Sequence, residues 1–76
     1  MSLAKFIEDF EEAVEDIEPG SLTATTKYRE LEAWDSLAVL TFTDVIEMEY
    51  GVLLSKKRLE SVATIEELYQ FVLQKQ

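Results

Sequence analysis

The sequence predicts an all-α fold: a small four-helix bundle of three long helices and one short helix, with a long loop between the first two. Two observations carry this prediction. Apolar residues recur at helical spacing in three separate stretches, and residues that start or stop helices stand at the edges of those stretches. With 76 residues, 47% hydrophobic content and one proline, the chain is expected to fold as one domain over residues 1–76, its core built from aliphatic and aromatic side chains.

Leu3, Phe6, Ile7, Phe10, Ala13, Val14 and Ile17 follow the i, i+3, i+4, i+7 pattern, with Glu8, Asp9, Glu11, Glu12, Glu15 and Asp16 between them. This predicts an amphipathic helix running through Ile17 and capped by Ser2. Glu18-Pro19-Gly20 is expected to end it, because a residue before proline avoids the helical region and glycine permits a turn.

Residues 20–34 have no clean period, although Leu22, Tyr28, Leu31 and Trp34 are available to pin the segment to the core. So long a connection is expected either to be functional, to hold a short helical turn, or to be an ordinary crossover between helices.

A helix is predicted from Ser36, with Val39, Phe42, Thr43, Ile46 and Tyr50 on one face and Gly51 as the residue that stops it. Its many β-branched residues lower helix propensity, so tertiary packing must favour helix over strand here. Val52-Leu53-Leu54 reads as a short apolar connection. Ser55 is suited to cap a brief helix through about Val62 that buries Leu59 and Val62. Thr64-Ile65-Glu66-Glu67 has the form of a capping box, opening a last helix whose apolar stripe is Ile65, Leu68, Tyr69, Val72 and Leu73.

Composition limits the chemistry. The chain has no histidine and no cysteine, which removes thiolate catalysis, disulfides, thiolate zinc sites and the usual base for a nucleophilic serine. Sixteen acidic against seven basic residues argue against nucleic acid and against anionic membrane surfaces, and favour basic protein partners. The acidity is uneven: residues 1–54 hold thirteen acids and three bases, whereas residues 55–76 hold three acids and four bases, including Lys56-Lys57-Arg58. No segment matches a calcium-binding loop, and no metal site is expected. The N-terminus lacks a signal-peptide pattern and no stretch approaches a membrane span, so a cytoplasmic, non-inserted monomer is expected.

Asp35-Ser36-Leu37 is the main candidate for chemistry. It places a serine hydroxyl at the predicted start of a helix, where unpaired backbone N–H groups and the positive end of the macrodipole stabilise a phosphate. Without a base beside it, Ser36 reads as an attachment point rather than a nucleophilic catalyst. The plainer alternative is that Asp35 is only an N-cap and Ser36 a helix-start residue in a non-covalent acidic interaction module.

The whole chain resembles the acyl carrier protein family: helix, long loop, Asp35-Ser36-Leu37, helix ending in Glu49-Tyr50-Gly51, short helix, then Thr64-Ile65-Glu66-Glu67-Leu68. The resemblance implies that Ser36 carries 4′-phosphopantetheine, taken from coenzyme A, with Asp35 and Leu37 completing the motif. The thiol of that arm would hold an acyl or aminoacyl group as a thioester. The implied partners are a phosphopantetheinyl transferase and acyl or aminoacyl synthetases, acyltransferases or ketosynthases with basic docking patches. Fatty-acid, lipid, polyketide or other specialised biosynthesis would be its setting, as a non-enzymatic carrier.

Leu37, Leu40, Asp44, Glu47 and Met48 fall on a different face of the second helix from Val39, Phe42, Ile46 and Tyr50. They read as a docking strip, apolar residues giving contact area and Asp44 and Glu47 meeting basic side chains. The alternative is that Leu40 and Met48 belong to the core of a helix buried on two sides. Trp34 is either part of the partner surface or a loop anchor. Two features depart from the family pattern: Ala33 stands where a glycine is common, and Lys56-Lys57-Arg58 is basic where fatty-acid carriers tend to be acidic.

Overall fold

In the computed structural model, which describes residues 2–76, the elements run α1 (Leu3–Ala13), a 3-10 turn (Tyr28–Glu30), α2 (Ser36–Tyr50), α3 (Lys56–Ser61) and α4 (Ile65–Lys75). Four α-helices, three of them long, make the predicted bundle, and there is no strand among the described residues. The helix starts follow their capping chemistry. Ser2, Asp35, Ser55 and Thr64 each accept a hydrogen bond from an N–H in the first turn of the helix that follows. Thr64 and Glu67 form the reciprocal capping box. Gly51 ends α2 in the left-handed region at φ 69°, its amide on the Glu47 carbonyl.

The end of α1 departs from expectation. The helix stops at Ala13, because Val14 turns to an extended conformation and Asp16 enters the left-handed region at φ 66°. Asp tolerates that region better than most side chains, so the turn forms ahead of Pro19. The apolar periodicity runs past the helix because Val14 is buried and Ile17 packs on the core from outside it. The Glu11 carboxylate then accepts the amides of Gly20 (3.0 Å) and Leu22 (3.2 Å), folding the loop back along α1.

α1 packs against both α2 and α4. Phe6 and Phe10 from α1, Ala38, Phe42 and Ile46 from α2, Leu59 from α3, and Ile65, Leu68, Tyr69 and Val72 from α4 are all buried. The expected α2 face holds, with Val39, Thr43 and Tyr50 partly buried at its margins. Leu73 does not join the α4 stripe and is exposed, since one residue past Val72 turns the side chain about 100° away from the core.

The long loop is tied down throughout. Leu22 and Tyr28 are buried, and the Tyr28 hydroxyl donates to the Leu59 carbonyl at the end of α3. Burial pushes the Tyr28 phenol up to about 12. The amides of Ile65 and Glu66, which have no partner inside α4, donate to the carbonyls of Thr26 (3.1 Å) and Ala24 (2.9 Å). The loop therefore satisfies the start of α4 while α4 holds the loop.

Candidate functional site

The loop delivers Trp34 and Asp35 to the start of α2. Trp34 stacks on Phe10 (centroids 5.6 Å apart, planes 17° apart) and meets Tyr28 edge-on at 5.1 Å and Phe42 at 6.0 Å. Its ring is the anchor that sets the position of the next two residues. Asp35 caps the helix, Oδ1 accepting the Ala38 amide at 2.8 Å, and its own carbonyl accepts the Val39 amide at 3.0 Å. Ser36 is therefore the first residue of α2, exposed, and its backbone N–H and that of Leu37 find no acceptor among the described residues. A hydroxyl beside free amides at the positive end of a helix of fifteen residues suits a phosphate ester.

Ala33 costs nothing in place of the more common glycine. Asp16 is the only non-glycine residue with positive φ among those described, so the backbone at Ala33 makes no demand that alanine fails to meet.

Two hollows flank the motif. On the α1 side, Asp35 and Leu37 join Glu12, Glu15, Asp16 and Glu32 around a depression of about 360 Å3 with a strongly acidic rim. On the α3 side, Trp34, Asp35, Ser36, Val39 and Lys56 line another of about 380 Å3. Sequence reasoning noted Lys56 only as part of a basic turn and missed its place beside Ser36. The two residues are brought together by the connector, where buried Val52 and Leu54 fix the chain just ahead of Ser55 and Lys56.

A family model described as a phosphopantetheine attachment site matches residues 3–72. The chain belongs to that family. Its cofactor is accordingly a covalently attached 4′-phosphopantetheine, and the resemblance to acyl carrier proteins stands on the full bundle rather than on a tripeptide. The same comparisons return no matching curated protein and no matching solved structure.

The outer face of α2 shows how the expected strip is arranged. Leu37, Leu40 and Met48 are 63%, 60% and 81% exposed, and Asp44 and Glu47 are exposed between them. Leu40 and Met48 are thus outside the core. Leu53 is also exposed, between buried Val52 and Leu54. Its exposure was not foreseen from the sequence; the buried–exposed–buried alternation of Val52, Leu53 and Leu54 is the period-2 signal that an apolar triplet can carry. Further round, the Arg58 guanidinium lies 4.3 Å over the Phe71 ring. No helix among the described residues is long and apolar enough to cross a membrane.

Proposed function

We propose that the protein is a cytoplasmic acyl or aminoacyl carrier, with residues 1–76 as a single carrier domain and Ser36 as the attachment residue. The observation that carries this reading is the placement of Ser36: an exposed hydroxyl on the first residue of α2, with two unused amides beside it, in a chain whose family is defined by phosphopantetheine attachment. Ser36 Oγ forms a new P–O bond to the phosphopantetheine phosphorus of coenzyme A while the pyrophosphate P–O bond breaks and the adenosine bisphosphate portion leaves. The chain has no histidine, so a phosphopantetheinyl transferase supplies the base that takes the hydroxyl proton. When bound, the group supplies a terminal thiol for thioester linkage. The domain itself positions and presents.

Presentation falls to the outer face of α2. Leu37, Leu40 and Met48 offer apolar contact, and Asp44 and Glu47, with the acidic rim beside Asp35, complement basic patches on synthetases, acyltransferases or ketosynthases of fatty-acid, lipid, polyketide or other specialised biosynthesis. Trp34 acts here through the loop it anchors.

The test is direct. Apo protein incubated with coenzyme A and a broad-specificity transferase should gain the mass of one phosphopantetheine, and Ser36→Ala should abolish the gain. No gain while a control carrier is modified, or a gain that survives Ser36→Ala, refutes the assignment.

A further inference from the structure

Lys56 is an unpaired cation in an acidic protein, set in the same hollow as Ser36. Among the described residues the only ion pair joins Lys5 to Asp9, so the Lys56 ammonium has no carboxylate within bonding range. Asp35, the acid sharing the hollow, directs Oδ1 to the Ala38 amide. The remaining walls, Trp34 and Val39, are apolar. The start of α3 is fixed by buried Val52 and Leu54 and by the Ser55 cap, whose Oγ accepts the Arg58 amide at 3.1 Å. Lys56 therefore stands where its backbone holds it, with no carboxylate paired to it among the described residues.

We propose that Lys56 is the counter-cation of the phosphodiester formed at Ser36, a positioning residue that holds the root of the arm on the α3 side of α2. This rests on Ser36 being the attachment residue. The phosphodiester adds one negative charge to a chain already at −9. That added charge raises self-repulsion in the compact state, against which the free amides at the start of α2 supply one folded-state attraction whether or not a cation is near. With Lys56 opposite it, modification adds an attraction that exists only in the folded state. The part of the change on modification that Lys56→Gln removes and Lys57→Gln does not is therefore the part that reports the pairing. Lys57 is the natural control, a neighbouring exposed lysine that does not line the hollow.

The experiment compares apo and holo forms of wild type, Lys56→Gln and Lys57→Gln, each checked by intact mass, for thermal midpoint at low salt and for the phosphorus NMR resonance of the holo form. Wild type and Lys57→Gln should melt about 2–4 °C higher as holo than as apo, the scale of a partly screened ion pair in a domain this small. Lys56→Gln should lose at least half of that difference and shift the phosphorus resonance, and roughly 1 M salt should shrink the wild-type gain toward that of the variant. A holo-minus-apo difference that Lys56→Gln leaves intact, or a phosphorus resonance that it does not move, overturns the pairing while leaving Ser36 as the attachment residue. Absence of any mass gain in wild type removes the attachment reading and the pairing together.

Discussion

The Tyr50 hydroxyl at the end of α2 donates to the Asp9 carboxylate in the middle of α1, joining two helices across 41 positions of sequence. Asp9 is only 4% exposed, and its other oxygen accepts the Lys5 ammonium at 2.6 Å, so both lone-pair faces of a buried charge are answered. Tyr50→Phe keeps the ring against Phe6 but withdraws one donor from that charge. It should cost about 1.5–3 kcal/mol by urea denaturation. Burial first, and then the bond to Asp9, raises the Tyr50 phenol well above its ordinary value. Because the folded value is the raised one, its contribution is complete below about pH 10, where the unfolded phenol begins to ionise, and is lost as pH rises further. Apo wild type should therefore show an alkaline fall in stability that Tyr50→Phe makes shallower; an unchanged slope counts against the assignment.

Glu67 should govern part of the opposite limb. Hydrogen bonds from the Ala63 and Thr64 amides, both 3.1 Å, hold its carboxyl below the usual carboxylate value. The folded value is the depressed one, so the contribution is present above about pH 4.3 and fades as pH falls through the folded value. Glu67→Gln should flatten acid unfolding in that window. Thr64→Ala, which removes the other half of the box, should cost about 1 kcal/mol at neutral pH.

Trp34→Ala should destabilise by about 2–4 kcal/mol, because it opens a gap among Phe10, Tyr28 and Phe42. Trp34→Phe should recover most of that loss. Partner turnover measured on the Phe variant then separates anchoring from docking: recovery of both stability and turnover is the result expected of an anchor. Restored stability with turnover still low would return Trp34 to the partner surface.

Reversing Asp44 and Glu47 to lysine should reduce kcat/KM with cognate enzymes roughly tenfold at low salt and weaken its salt dependence, as expected for rim charges that steer association. Both side chains are exposed, so helical circular dichroism should not change. Kinetics that stay the same across the cognate enzymes would remove these two residues from the interface.

What was legible in the sequence is what local chemistry decides. Ser55, Thr64-Glu67 and Gly51 act within a turn of their own position, and the structure puts helix boundaries at each. The fold and the start of α2 followed from such signals and from periodicity. The end of α1 did not, because Val14 and Ile17 keep apolar contact with the core whether or not they are helical, and periodicity reports contact rather than conformation. Lys56 beside Ser36 was also hidden. Their meeting depends on how the five-residue connector 51–55 packs between α2 and α3, and no spacing rule encodes that.

The loop ahead of Ser36 is long yet restrained at Glu11, at Leu59 and at the first amides of α4. An arm attached at Ser36, as proposed, would swing from a restrained pivot. On that proposal reach is set by the arm more than by the loop: the domain would act as the foot of a compass, and a partner's catalytic depth would have to match the span of the compass leg.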